Sequence, residues 1–244
     1  MRNLLNALIL TSSLVFAAPA SAATEVITVF GDDNPFLAGK APGTLCCSID
    51  SAPGQSPAQI LGALTAGNIL TFSATGAVSF SEAPVPTGNP DGSFGFTMNS
   101  TYGTGIAGAG SVRANGLVGV FLDASDPGTV APVPLSFASL NFASLSPRLR
   151  QIFWIGDGLT GTGIGSVQQF VIPVGATRLF LGSVDGFGWK GNTGKFIVTI
   201  NGLDTVGGGG GIPEPATWAM MLLGFGLIGT TLRRRSATRI ATTA

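Results

Sequence analysis

Nine short runs of β-branched and aromatic residues, each bounded by Gly, Pro, Asn or Asp, are spread along the middle of the chain. Such runs predict short β-strands, and their number favours an all-β, jelly-roll-like antiparallel β-sandwich. In the last run, Phe196, Val198 and Ile200 alternate with other residues and so share one face. Helical periodicity is weak, so residues 58–64 and 139–150 are expected to form a turn or two of helix at most. The predicted strands are residues 25–30, 69–73, 77–80, 93–98, 117–122, 151–155, 168–174, 178–184 and 195–201.

Residues 1–23 have the three parts of a Sec signal peptide. Arg2 supplies the positive n-region, residues 4–18 form an apolar core, and small residues at 20–22 form a cleavage site. The apolar stretch is too short to span a bilayer comfortably. We therefore expect export through Sec and a mature protein that starts near Thr24.

The C-terminal end has a second targeting pattern. Five glycines at residues 207–211 form a flexible linker. Residues 216–232 are uncharged and mostly apolar, which predicts a single short hydrophobic helix in the membrane. The arginines that follow should remain cytoplasmic, together with a tail at residues 236–244.

Residues 212–235 resemble the PEP-CTERM sorting signal of Gram-negative bacteria. The residues that carry the resemblance are Pro213, Glu214, Pro215 and Trp218, followed by Arg233, Arg234 and Arg235. The resemblance implies recognition by a membrane-embedded exosortase, cleavage near the Pro-Glu-Pro triplet and release to the cell surface or an exopolysaccharide matrix. A permanent transmembrane anchor is the alternative.

The composition excludes several classes of function. The chain has no His, which rules out a Ser-His-Asp triad, a Cys-His dyad and a His-ligated zinc or haem site. Between the two targeting segments, seven basic residues against eleven acidic ones leave a net charge of about −4. Such a surface repels phosphate backbones, so nucleic-acid binding is not expected. The charge is compatible with neutral sugars or divalent cations as ligands.

A Gly-rich loop at residues 185–194 is the main candidate for a binding site. It offers the Asp185 carboxylate, the Asn192 amide oxygen and many backbone carbonyls. Calcium takes six to eight oxygen ligands, and loops of this kind supply them. The alternative is a structural loop in which Asp185 caps a turn by accepting from its own backbone.

Residues 168–200 resemble the calcium-dependent galactose-binding lectins of bacteria, a jelly-roll family, and residues 69–80 resemble the early strands of that family. The resemblance implies calcium ligation by the side chains of Asp185 and Asn192 and by the backbone carbonyls of Trp189 and Phe80. Gly191 stands where the family has another Asn, and the family's sugar-contacting His is absent. The implied cofactor is calcium, and the implied ligand is a galactose-like residue of an exopolysaccharide.

These observations predict a secreted, exosortase-processed protein in which residues 24–206 form a non-catalytic, calcium-assisted carbohydrate-binding domain. Two alternatives stay open, namely a structural biofilm-matrix protein without a ligand site and a polysaccharide-active hydrolase. The hydrolase would need two carboxylates across a cleft.

Asp32 and Asp33 precede a turn and are candidates for a second cation site.

Cys46 and Cys47 are the only cysteines and are adjacent. In an oxidising compartment they could form a vicinal disulfide, pair between chains or remain buried thiols. The sequence leaves all three states open.

Overall fold

A computed structural model describes residues 22–80, 82, 85–98 and 102–204 of the 244-residue chain. Residues 1–21 of the predicted signal peptide lie outside this part. So do the glycine linker, the sorting segment with its predicted membrane helix, and the cytoplasmic tail. Within the described residues, none of the helical segments has the length and apolar character needed to cross a bilayer.

The described residues contain seventeen strands and one short 3-10 helix, Pro35–Leu37. In chain order the strands are β1 (Ala22–Phe30), β2 (Leu45–Cys46), β3 (Asp50–Ser51), β4 (Ala58–Gln59), β5 (Ile69–Ser79), β6 (Gly95–Phe96), β7 (Ala109–Gly110), β8 (Val112–Arg113), β9 (Leu117–Leu122), β10 (Leu135–Ser136), β11 (Ser144–Leu145), β12 (Ile152–Trp154), β13 (Leu159–Gly161), β14 (Ile164–Val167), β15 (Gln169–Val171), β16 (Arg178–Ser183) and β17 (Thr193–Asp204).

Two sheets form the body of the fold. The first has the order β1-β17-β5-β15-β11 and is antiparallel except for the β11–β15 pair. The second has the order β12-β9-β16-β4 and is antiparallel throughout. A cluster of buried side chains from both sheets fills the space between them. The predicted all-β sandwich is therefore confirmed.

The inner cluster follows the two-residue period of the first sheet. Leu70 and Phe72 of β5 and Val198 of β17 point inward, where they meet Phe121 and Leu179 of the second sheet. Their neighbours along each strand are more exposed, as alternation predicts. Burial of these side chains provides the main driving force for folding.

The second sheet also has a covered outer face. Val120 and Trp154 pack there against Phe36 and Leu37 of the 3-10 helix and against Trp189 of the loop before β17. Because both faces of β9 are covered, all six of its residues are buried and its sequence lacks alternation. The outer cluster is what holds the candidate loop against the sandwich.

Several predicted elements differ from the structure. Two predicted strands, residues 69–73 and 77–80, merge into the single strand β5, which ends at Ser79, because Gly76 adopts φ +101° and still pairs with Phe196. A Cβ at Gly76 would lie 2.4 Å from the Lys195 carbonyl oxygen, so the strand continues only with glycine there. Predicted helical turns at residues 58–64 and 139–150 are wrong, since these segments contain the short strands β4 and β11.

The two ends of the domain lie side by side. Ala22 at the start of β1 pairs with Asp204 at the end of β17, and Phe30 at the other end of β1 pairs with Lys195. At about 3.3 Å per residue, β17 extends for roughly 35–40 Å. The chain therefore enters and leaves the domain at the end of the sheet opposite to the loop that precedes β17.

Candidate functional site

The predicted calcium loop connects β16 to β17 at one end of the first sheet. Thr193, the first residue of β17, pairs with Ser79, the last residue of β5. The Gly31 N–H donates to the Gly194 carbonyl at 3.0 Å. Phe80, the turn after β1 and the loop at residues 184–192 therefore all lie at this end of the sheet.

Asp185 and Asn192 lie at the two ends of this loop. The Asn192 amide donates through Nδ2 to the Gly31 carbonyl at 3.1 Å. Asp185 Oδ1 accepts from the backbone N–H groups of Gly186 and Phe187. The other side-chain oxygens, Asp185 Oδ2 and Asn192 Oδ1, are buried, and among the described residues neither has a hydrogen-bond partner within normal geometry. Buried polar atoms normally have partners, so these two oxygens are candidates for ligating an ion.

The electrostatics of Asp185 follow from its position. Burial raises the pKa of its carboxyl above the ordinary value, and the nearby Asp50 charge acts in the same direction. The Asn192 side chain and the N–H groups of Gly186 and Phe187 oppose that rise. A cation at the loop would relieve the cost of keeping Asp185 ionised. Asp185 also caps its own turn, as the structural alternative predicts.

Trp189 anchors the middle of the loop. Its side chain is fully buried, its indole Nε1–H donates to the Ser183 carbonyl at 3.0 Å, and its ring meets Phe36 edge-on at 5.9 Å. Its carbonyl, a predicted calcium ligand, accepts from the Asn192 N–H at 2.8 Å. A carbonyl oxygen has two lone pairs, so this bond leaves one for a further contact.

Phe80, the other predicted carbonyl donor, comes directly after β5. Its side chain is partly exposed and packs edge-on against Phe94, with ring centroids 5.9 Å apart. Because Ser79 pairs with Thr193, continuing the register puts Phe80 beside Asn192. The structure thus brings all four predicted residues to one end of the sheet.

Asp50, in the short strand β3, is a site residue that the sequence analysis missed. It is fully buried, and its Oδ2 accepts from the Trp189 N–H at 2.7 Å and from Asn34 Nδ2 at 2.9 Å. Its Oδ1 accepts from the Lys190 N–H at 3.0 Å. One carboxylate therefore ties the loop to a hairpin 139 residues away in sequence. The local sequence contains no signal for this contact.

Cys46 and Cys47 form a vicinal disulfide, and both are buried. They lie at the turn between β2 and β3, where Cys47 and Ser48 have positive φ angles of 53° and 81°. The Cys47 carbonyl oxygen lies 3.5 Å from where a Cβ of Gly188 would be. Of the three states that the sequence left open, the structure has the vicinal disulfide, and it places that disulfide against the loop.

Asp32 and Asp33 follow β1 at the same end of the sheet. Burial raises the pKa of Asp33 to about 7, although its Oδ2 accepts from the Phe30 N–H at 2.7 Å. Burial also raises the pKa of Asp32, with a contribution from the Asp50 charge. In the described ranges, however, no set of three or more His, Cys, Asp or Glu side chains is arranged to hold a metal ion. A cation here would need amide and carbonyl oxygens as well as carboxylates.

Comparisons with known proteins identify the tail. Residues 211–235 match the PEP-CTERM protein-sorting motif. The sorting signal predicted on Pro213, Glu214, Pro215 and Trp218 is confirmed as a motif, and it marks the chain as a secreted protein that exosortase processes. These residues themselves lie outside the described part of the structure.

No curated protein matches the chain. Among solved structures, the chain is similar to the N-terminal domain of EclA, described as a PllA-like lectin. The two are 16% identical, and the alignment covers 72% of this chain and 92% of the other, with a TM-score of 0.34.

Proposed function

We propose that the β-sandwich is a non-catalytic, calcium-assisted carbohydrate-binding domain that acts at the cell surface or in the exopolysaccharide matrix. The observation that supports it is the pair of buried oxygens in one loop, Asp185 Oδ2 and Asn192 Oδ1, which accept no hydrogen bond from the part of the chain that the structure describes. Carboxylate and amide oxygens are the side-chain ligands that calcium prefers. Export through Sec and passage through a membrane-anchored stage before exosortase processing belong to the same proposal.

The residues present fit a calcium ion in part. Asp185 and Asn192 would hold it with their side chains, and Phe80 and Trp189 with their carbonyls. Calcium, when bound, supplies a positive charge and free coordination positions that vicinal hydroxyls of a galactose-like sugar can occupy. Gly191 contributes no side-chain ligand, so water and the sugar hydroxyls complete the oxygen set.

The surroundings of the loop favour a cation over an anion. Asp32, Asp50 and Asp185 lie close enough that the Asp50 charge raises the pKa of the other two. The Asp50 carboxylate also fixes the loop backbone through Trp189 and Lys190. A loop that is already ordered loses less conformational entropy when it binds a ligand.

The position of the loop also supports the proposal. The loop precedes Thr193, whereas the sorting tail follows Asp204 at the other end of the same strand. During the membrane-anchored stage, the anchor is thus attached at the end of β17 remote from the loop.

The test is a calorimetric titration of the mature protein with calcium, followed by the exopolysaccharide of the producing cell. We expect calcium binding that Asp185→Asn and Asn192→Ala each weaken, and sugar binding that a chelator removes. Asp123→Asn is the matched control. Asp123 directly follows β9, at the end of this strand that pairs with Arg178, whereas the candidate loop follows Ser183 at the opposite end of β16. Calcium binding unaffected by Asp185→Asn would exclude the loop as the site.

A structural matrix protein is the second candidate. It is favoured by the hydrogen bonds that Asp50 and Asp185 make to the loop backbone, because these bonds order the loop without any ligand. In that case the wild-type protein would bind neither calcium nor polysaccharide. Deletion of the protein from the producing cell would weaken the matrix nonetheless.

A further inference from the structure

A cavity, separate from the candidate calcium loop, opens beside the hairpin formed by β6 and β8. Its volume is about 390 Å³, within the roughly 300–1,000 Å³ of small-molecule sites. The lining includes Gly95, Phe96 and Thr97 on one side, and Ser111, Arg113 and Leu140 on the other. None of these residues belongs to the calcium loop.

Gly95 has no side chain to occupy the cavity. Gly95 pairs with Arg113 across the hairpin. A Cβ built on Gly95 would have no heavy atom within 4 Å, and Gly95 is not among the glycines with positive φ. A larger residue would therefore fit the backbone and place its side chain in the open space beside Gly95, which makes Gly95 a site for a clean test.

Arg113 is the charged group of this cavity. In the described part of the chain its guanidinium makes no hydrogen bond or ion pair, whereas those of Arg150 and Arg178 bind backbone carbonyls. The charged neighbour of Arg113 is Asp91, whose Oδ1 accepts from the Asp157 N–H at 3.0 Å. Arg113 therefore has its planar set of donors available for a ligand, and carboxylates match that fork with two parallel hydrogen bonds.

The remaining lining suits a sugar ring. Thr97 and Ser111 bring hydroxyl groups, and the Ser111 N–H donates to Thr97 Oγ1 at 3.3 Å. Phe96 and Leu140 give the cavity apolar walls. An apolar wall with a few polar groups is the usual composition of a small-molecule site. The Phe96 ring also lies 2.7 Å from where a Cβ of Gly186 would be, so this cavity borders the calcium loop.

We propose that this cavity binds a carboxylated sugar, a uronic acid residue of an acidic exopolysaccharide. Arg113 pairs with the carboxylate, the hydroxyls of Thr97 and Ser111 bind ring hydroxyls, and the ring lies against Phe96. The site needs no metal ion, and it goes beyond the proposed calcium-assisted function. Its position next to Gly186 allows one polysaccharide chain to contact both sites.

The test is a titration of the mature protein with galacturonic acid in the presence of a chelator, followed by NMR and calorimetry. We expect binding that shifts the amide resonances of Gly95 and Arg113. Galactose tests whether the carboxylate is needed, and acetate tests whether a carboxylate alone is enough. Both should bind at least about tenfold more weakly, which is about 1.4 kcal/mol. Equal binding of acetate would show an anion site without sugar recognition and would overturn the proposal.

Two variants separate the cavity from the fold. Gly95→Val places a side chain where the sugar ring would lie and Arg113→Gln removes the charge, and each should weaken galacturonate binding at least about tenfold. Arg148→Gln is the control, since Arg148 is an exposed arginine outside the cavity lining. If Gly95→Val lowers the melting temperature, Gly95→Ala is the substitute variant, because its Cβ meets no other atom. Wild-type affinity in Arg113→Gln, or the absence of galacturonate binding to the wild type, would overturn the proposal. Because a chelator is present throughout, these outcomes are independent of calcium binding at the loop.

Discussion

The Asp50 carboxylate lies 2.7 Å from the backbone nitrogen of Trp189 and joins two segments 139 residues apart. The same carboxylate binds the Lys190 N–H and the Asn34 amide, so each of its oxygens has a partner. A buried carboxylate is tolerated only with such partners. The shape of the candidate loop therefore depends on a residue that is not itself a predicted ligand.

We expect Asp50→Asn to destabilise the mature protein by about 1–3 kcal/mol. The amide nitrogen of the new Asn would replace one carboxylate oxygen, so one of the backbone N–H groups that Asp50 accepts from would face another donor and lose its acceptor. Urea unfolding followed by Trp fluorescence measures the change. Asp123→Asn, an identical substitution near the surface, should change the free energy of unfolding by less than about 0.5 kcal/mol. Equal effects of the two substitutions would mean that Asp50 does not hold the loop.

Reduction of the Cys46–Cys47 disulfide should loosen the loop more than it lowers global stability. A bridge between adjacent residues closes a very short ring, so its effect on the free energy of unfolding should be about 1 kcal/mol. The turn contacts Gly188, however, and leads to Asp50. Hydrogen exchange should therefore become faster at Gly188 and Trp189 after reduction. A Cys46→Ser, Cys47→Ser variant should not respond to the reductant. Unchanged exchange in the wild type would contradict this role.

The sandwich could be predicted because its signals are local. Phe196, Val198 and Ile200 alternate along one strand, and the structure buries all three. The targeting signals are also local runs of residues, and the comparisons bear out the sorting motif. Asp185 and Asn192 could be identified because they lie seven residues apart in one Gly-rich loop.

The supports of the loop could not be predicted, because their contacts are distant in sequence. Asp50 meets Trp189 only when the hairpin of β2 and β3 packs onto the second sheet. The sequence explained Asp32 as a turn residue or as a candidate for a second cation site with Asp33, but it did not indicate that Asp50 is its neighbour in space. Gly76 is a residue type that predicts a turn, but its positive φ occurs inside a continuous strand.

Gly31→Ala should disrupt the junction between β1 and the candidate loop. A Cβ at Gly31 would lie 2.4 Å from the Thr193 carbonyl oxygen, and this backbone atom belongs to the pair of strands that frames the loop. We expect a loss of about 2 kcal/mol or more in the free energy of unfolding. Gly95→Ala is the matched control, since its Cβ would enter open space, and it should be neutral within about 0.5 kcal/mol. Thermal and urea unfolding of both variants provide the comparison. A neutral Gly31→Ala would show that the strand ends are free to separate.

Asp33 should make the stability of the protein depend on pH. Burial raises its pKa from 3.8 to about 7 in the folded chain, so the folded state holds this proton more tightly than the unfolded state. The resulting stabilisation is fully present below pH 3.8 and is lost as the pH rises through about 7. Within this window the contribution falls by up to about 1.4 kcal/mol per pH unit.

Asp33→Asn keeps an oxygen for the Phe30 N–H but removes the titration. The free energy of unfolding of the variant should therefore fall less steeply with pH across this window, with a slope that corresponds to about one bound proton fewer. At pH 8 the variant should be more stable than the wild type. Urea unfolding at a series of pH values in a chelator measures both, since a bound cation would favour the ionised carboxylates. Asp123→Asn should keep the wild-type slope across the same window, because the pKa of Asp123 lies below its ordinary value. A slope unchanged in Asp33→Asn would assign the pH dependence to the other carboxyls with raised pKa values, Asp32, Asp91 and Asp185.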